Sequence, residues 1–315
     1  MSRPPLVVLG VSRSGTTLLR VILDRSPGIA IPDESFFVPL LARRHGRTVD
    51  AERFLDDVAR IPTIRAWGLR PEDVAQHVRP GMVTGDAISA IFEAYAERVG
   101  KPRWGDKTPM YMRHLGLFER LFPSAQYVHL VRDGRDAALS FLEMPEGTFT
   151  RTWAHPTTPA QFARLWAKEV SDARALGRRV GSARYHEVRY EDLVGDPEAV
   201  VAGICAFAGL AYESDMLAYT DSVDVSEKPH QQRLLKPPTA GVRSWREDMA
   251  PDDVDAFEAV AGDVLRELGY AVTASHSTPR AAATRLSYDA RLAAWNATAS
   301  VLQRSPLWRR RHPRL

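Results

Sequence analysis

The chain has 315 residues, 44% of them hydrophobic, with 42 Lys+Arg set against 39 Asp+Glu. That length suits one sizeable α/β domain with additions or two small domains, and a net charge of +3 is too small to imply a nucleic-acid partner by itself. Cys205 is the only cysteine, which excludes an intramolecular disulfide and a Cys-based zinc site.

The N-terminal apolar run is only about six residues long, too short for the core of a signal peptide or a membrane span. The expectation is a cytoplasmic protein, in which the sequon at Asn296-Ala297-Thr298 is read as chance. Leu6–Val11 reads as a strand buried on both faces of a parallel sheet. A turn rich in Gly and Ser follows, and then a helix over Gly15–Arg25 with apolar residues at 18, 19, 22 and 23. Strand, glycine turn and helix form the opening unit of a doubly wound fold.

From Phe36 to about Gly100 the pattern is mainly helical, punctuated by Pro62, Pro71 and Pro80-Gly81. Ala125–Val131 is a second buried-strand candidate, leading into a helix from about Arg135 to Leu142. Residues 144–159 read as a long loop, Gln161–Arg179 as a helix and Ala183–Arg189 as a strand. Pro197–Leu210, which holds Cys205 as a buried thiol, and Pro251–Leu268 read as helices. The last forty residues are rich in Ala and Arg, with a helix from about Pro279 to Leu302 and a basic end around Trp308.

Gly10-Val-Ser-Arg-Ser-Gly15-Thr16-Thr17 carries the strongest signal. Its glycines have P-loop spacing, and a loop of this kind after a buried strand points backbone N–H groups at an anion. Thr16 stands where a nucleoside triphosphatase has the lysine that reaches the β- and γ-phosphates. The loop therefore suits a 5′-phosphate group without a triphosphate tail, and Arg13 can supply the missing charge. Asn296 is the only asparagine, so the guanine-reading motif of GTPases is absent, and a metal-free anionic donor fits better than a magnesium nucleotide.

At these residues the chain resembles the sulfotransferase superfamily, most closely the branch of tyrosylprotein sulfotransferases and many bacterial members. Arg13-Ser-Gly-Thr-Thr-Leu-Leu-Arg20 is similar to the family's 5′-phosphosulfate loop. Tyr127-Val-His-Leu-Val-Arg132-Asp-Gly-Arg-Asp-Ala-Ala-Leu-Ser140 is similar to its 3′-phosphate segment, and Arg132 would offer a guanidinium fork there. Trp104-Gly-Asp-Lys107-Thr-Pro109, Val188-Arg-Tyr190-Glu-Asp-Leu193 and Leu235-Lys-Pro237 to Trp245-Arg follow in the family's order, the last one residue short.

The resemblance implies an α/β fold: a P-loop-type parallel sheet flanked by helices, with helical insertions and a C-terminal helical extension. Residues 1–275 would be the sulfotransferase domain, with an acceptor-side insertion over about 36–103, and 276–315 a helix and basic tail. It implies 3′-phosphoadenosine-5′-phosphosulfate (PAPS) as co-substrate, no metal, and transfer of its sulfuryl group to a hydroxyl. Arg13, Ser14, Gly15, Thr16 and Thr17 would bind the 5′ end of the donor, Arg132 and Ser140 the 3′-phosphate, and Tyr190 the adenine. Arg243, with Ser244 and Arg246 as alternatives, would close over the nucleotide. Lys107 would face the bridging oxygen, Arg13 the sulfuryl oxygens, and Glu34 would be the base, with Asp33 as the alternative.

The acceptor is left open among small-molecule, sugar, lipid-linked and peptide hydroxyls, with Trp67, Tyr95, Phe149, Trp153 and His155 as candidate lining. No nucleic-acid partner is expected. The basic tail could touch anionic lipid or an acidic acceptor, with a solvated tail as the alternative. Leu286, Leu292, Trp295 and Leu302 would let the last helix pack on the domain or on a second subunit in a homodimer. A small-molecule kinase and a non-catalytic nucleotide-binding module are the competing readings.

Overall fold

The computed structural model describes residues 3–144, 155–222, 244–273 and 279–302. Its sheet is parallel throughout, ordered β2-β1-β3-β4, from β1 (Leu6–Leu9), β2 (Gly105–Lys107), β3 (Gln126–Val131) and β4 (Tyr185–Arg189). Between β1 and β2 run α1 (Thr16–Asp24), α2 (Val38–His45), α3 (Ala51–Arg60), α4 (Pro62–Ala66), α5 (Pro71–Ala75) and α6 (Thr84–Arg98). A 3₁₀ turn (Pro109–Arg113) and α7 (Leu115–Leu121) lead to β3, and α8 (Gly134–Leu142) and α9 (Pro159–Val180) to β4. Then come α10 (Tyr190–Gly195), α11 (Pro197–Ala208), α12 (Trp245–Asp248), α13 (Pro251–Glu267) and α14 (Pro279–Leu302).

The helix ends follow their local chemistry. Asp50, Thr158 and Asp196 cap α3, α9 and α11 by accepting from Arg53, Gln161 and Ala199 N–H groups. Pro159, Pro197 and Pro251 occupy first turns, where no N–H is needed. The short strand β2 was not expected from the sequence: Gly105-Asp106-Lys107 has no apolar run, yet all three residues are buried.

Alternation along β1 and β3 divides the interior in two. Leu6, Val8, Val128 and Leu130 face a layer made by α1, α10 and α11. Val7, Leu9, Tyr127 and Val131 face the larger layer made by the 36–103 insertion with α8, α9 and α13. So α1, leaving β1, covers one face, and α8, leaving the adjacent β3, covers the other. That divergence opens a crevice at the carboxyl ends of β1 and β3, the position at which doubly wound folds bind ligands.

Beside β2 the larger layer is aromatic. Trp104 stacks on Phe92 (centroids 4.4 Å apart, 13° between planes) and meets Phe122 edge-on at 5.4 Å. Trp67, a candidate for acceptor lining, belongs instead to this core, 8% exposed and against Phe37, Phe92 and Tyr95. The helix α14 docks on the domain through Ala281 and Tyr288, with Asp289 paired to Arg164 at 2.6 Å and Arg285 bonded to the Ala259 carbonyl. Leu286 is not on that face: it is 74% exposed. Phe149, Trp153 and the basic tail from Arg304 lie outside the described residues.

Trp104→Ala is expected to remove about 3–5 kcal/mol of stability, the usual loss for a buried aromatic. Urea denaturation measures it, and a loss below about 1 kcal/mol would mean that the stack does not hold β2 in place.

Candidate active site

The loop after β1 turns tightly, with the Ser14 N–H donating to the Val11 carbonyl at 3.0 Å. A Cβ on Gly10 would lie 2.6 Å from Thr16 Cγ2 and 2.8 Å from the Leu130 carbonyl oxygen. A Cβ on Gly15, whose φ is +90°, would lie 2.5 Å from the Tyr190 ring. Both positions therefore require glycine. Gly15 caps α1 without a side-chain acceptor, which leaves the first-turn N–H groups and the helix dipole directed at the crevice. The Ser14 hydroxyl is buried and has no hydrogen-bond partner among the described residues, a donor suited to an anion in the loop.

Arg13 adopts a left-handed backbone, φ 75°. Its Nε donates to Ser140 Oγ on α8 at 2.9 Å, and Arg132 Nη1 donates to the Arg13 carbonyl at 3.2 Å. The Arg132 guanidinium also lies over the Tyr190 ring, 4.6 Å from its centroid. Residues following β1, β3 and β4, namely Arg13, Arg132, Ser140 and Tyr190, thus meet in one cluster.

Lys107 ends β2, only 2% exposed. Its Nζ contacts Glu34 Oε1 at 2.5 Å and Thr17 Oγ1 at 3.2 Å. Burial pushes the lysine pKa down, opposed by the Glu34 carboxylate. Glu34 therefore serves as an ion-pair partner and not as a cap on the following helix, which begins at Val38 with no side-chain cap. Asp33 turns away to Arg20 at 3.1 Å.

Beneath this pair lies a polar network that the sequence did not reveal. Ser35 Oγ bonds Asp106 Oδ1 at 2.7 Å and Tyr111 OH at 2.8 Å, and the Ser35 N–H donates to Thr108 Oγ1 at 3.0 Å. Asp106 is wholly withdrawn from water, and burial raises its carboxyl to about 7 despite the hydrogen bonds from Ser35 and Thr108. A second missed group is Arg135, 0% exposed, which pairs with Asp133 at 2.7 Å and Glu258 at 2.5 Å beneath the Trp245 ring.

His129 proves to be a core residue: it is fully buried, with Nδ1 2.6 Å from Tyr185 OH. His155 is half-buried, and its carbonyl accepts from Arg291. Arg243 and most of the late-loop match lie outside the described residues, although Trp245 and Arg246 are described.

A sequence model described as the sulfotransferase family matches residues 4–214. Protein-tyrosine sulfotransferase A of Caenorhabditis elegans is 25% identical over 279 residues, 85% of this chain and 67% of that protein. The protein-tyrosine sulfotransferase of Drosophila melanogaster is also 25% identical, over 84% of this chain, which spans 49% of the fly protein. Among solved structures, the sulfotransferase domain of the Synechococcus PCC 7002 olefin synthase superposes with a TM-score of 0.60 at 25% identity. That superposition covers 87% of this chain and 98% of that domain.

The raised Asp106 carboxyl makes stability pH-dependent. The folded chain holds this proton up to about 7, whereas an unfolded Asp releases it near 3.9. The stabilising contribution is complete below the unfolded value and disappears as pH rises through the folded one, amounting to about 4 kcal/mol. Asp106→Asn keeps an acceptor for Ser35 and removes the charge. Its stability is expected to fall less between pH 5 and pH 8 than the wild type's; urea midpoints with identical slopes in both proteins would refute this.

Proposed function

The chain belongs to the sulfotransferase family, and from that premise we propose that it takes the sulfuryl group of PAPS and passes it to an acceptor hydroxyl by in-line displacement. The observation that carries this reading is the convergence of one candidate donor-binding group from each strand end. The glycine loop with Arg13 follows β1, Lys107 ends β2, Arg132 follows β3, and Tyr190 follows β4.

In this reading the 5′ end of the donor occupies the loop, bound by the N–H groups at the start of α1 and by Ser14, Thr16 and Thr17. The partnerless Ser14 hydroxyl and the close approach at both glycines fit an anionic group there. Arg132 and Ser140 bind the 3′-phosphate, Tyr190 borders the adenine, and Arg243 closes over the nucleotide.

Glu34 removes the acceptor proton as the acceptor oxygen attacks sulfur. The bond from sulfur to the bridging oxygen breaks, and Lys107 neutralises the charge left on the 5′-phosphate. Arg13 stabilises the sulfuryl oxygens. The contact between Glu34 and Lys107 supports this division, because it brings the proton acceptor and the leaving-group cation together at the end of one strand. Without a bound donor each satisfies the other, so buried charge is balanced in the resting protein as well.

Residues 1–275 form the transferase unit in this proposal, and α14 is an extension docked on it. Protein tyrosine is one acceptor to test, given the worm and fly relatives, beside small-molecule, sugar and lipid-linked hydroxyls.

Two measurements test the proposal. Glu34→Gln should lower kcat by about 10²-fold or more while the affinity for 3′-phosphoadenosine 5′-phosphate stays within about threefold of wild type. Calorimetric titration should show that Arg132→Ala weakens that nucleotide about tenfold or more, as loss of a charge-assisted bond implies, but leaves adenosine 5′-phosphate unaffected. Wild-type protein with no preference for the 3′-phosphate would remove the basis of the proposal.

A further inference from the structure

Two residues beyond Glu34 the backbone enters the left-handed region at Phe36, φ 56°. Across it the Phe37 N–H donates to the Ser35 carbonyl at 2.8 Å. A three-residue hydrogen-bonded turn with positive φ at its centre is a γ-turn of the rarer, strained hand. Bulky residues avoid that region and glycine enters it freely. Packing of its own ring does not account for Phe36, which is 39% exposed and joins no aromatic pair among the described residues. The next residue, Phe37, is 2% exposed and meets both Trp67 and Phe92 at 5.4 Å.

The turn is imposed from its flanks. Ser35 is held by Asp106, Thr108 and Tyr111, and the Val38 N–H donates to Tyr111 OH at 3.2 Å. Those bonds fix the backbone on both sides and leave Phe36 39% exposed. Strain retained at a functional site, on a side chain left partly open to solvent, points to a use outside the folded chain. A second exposed apolar residue, Met110 at 36%, follows Lys107 on the adjoining 3₁₀ turn. The described residues include six exposed large apolar side chains, and two of them lie within three residues of the Glu34–Lys107 pair.

We infer that Phe36 is an acceptor-binding residue. Its ring, with Met110 as a second apolar group, contacts the framework that carries the reacting hydroxyl and favours acceptors with apolar surface beside that hydroxyl over wholly polar ones. The inference rests on the sulfuryl-transfer reading above. The buried network beneath Glu34 then has two tasks: it sets the height of the base and it holds Phe36 out.

The test uses the full chain saturated with 3′-phosphoadenosine 5′-phosphate and titrated with 2-naphthol, whose fluorescence reports binding without turnover. Phe36→Gly should weaken 2-naphthol about tenfold, the loss expected for one large apolar contact, and Phe36→Leu should recover most of it. Nucleotide affinity should be unchanged in both variants. Unchanged naphthol affinity in Phe36→Gly, no recovery in Phe36→Leu, or wild type that fails to bind naphthol by about 1 mM would each overturn the inference while leaving sulfuryl transfer intact. Failure of wild type to bind the nucleotide would instead overturn the transfer reading, and the inference with it.

Discussion

Lys107 sits at the end of an edge strand with its ammonium almost wholly withdrawn from water, and a charge so placed must be answered within the protein. Glu34 answers it, with Thr17 as a second acceptor. The edge position would ordinarily leave β2 wet. It is dry because the helices inserted between β1 and β2 close over it, with Trp104, Phe92 and Phe122 packed beside the strand. The aromatic layer thus acts on the chemistry indirectly. By excluding water it raises the strength of every electrostatic contact at the strand end, and so it makes the lysine both costly to bury and effective as a neutralising charge.

The proposed nucleotide end of the crevice is built differently. Arg13 and Arg132 are drawn together through a main-chain carbonyl, a serine hydroxyl and a tyrosine face. Two guanidinium groups held close together repel each other, and an anion relieves that repulsion. Behind them α8 is fixed by Arg135, whose ion pairs with Asp133 and Glu258 and bond to the Ala271 carbonyl tie the helix start to α13 and the chain beyond. The Trp245 N–H, donating to Asp136 at 2.8 Å, fixes the far end of the late loop to the same helix. Asp133, Asp136 and Glu258 on this side thus hold the scaffold together.

Much of this was legible in the residues. Buried apolar runs gave β1 and β3, and glycine spacing gave the anion loop. Expected helices ended within a few residues of their observed limits, because caps and prolines are local signals. Glu34 and Lys107 were identified through resemblance, but their mutual contact was not, since 73 residues separate them and no periodicity links them. Strand β2 was missed because its burial comes from a distant insertion and not from its own composition. Arg135 and Asp106 were missed for a related reason: charged residues read as solvent-facing until their partners are known, and Glu258 and Ser35 are partners only in three dimensions. Trp67 was misplaced because an aromatic in a proline-punctuated helical stretch looks the same whether it lines a pocket or fills a core.

The two ends also differ in what change they tolerate. At the proposed nucleotide end Arg13 and Arg132 are held by Ser140 near the end of α8, by a main-chain carbonyl and by the Tyr190 face. The helix α8 is itself fixed by the buried Arg135 ion pairs, where loss of one partner would leave an interior charge unpaired at a cost of several kcal/mol. At the proposed acceptor end Glu34 is held by its ion pair with Lys107 and by the hydrogen bonds of Ser35 and Val38, on the connection between α1 and α2. The first arrangement rests on sheet ends, whose positions are set by strand pairing, and the second on a connection tied to β2 and to the adjoining 3₁₀ turn. Ser35 is therefore the joint of the site, because it is bonded to β2 and stands between Glu34, the proposed base, and Phe36.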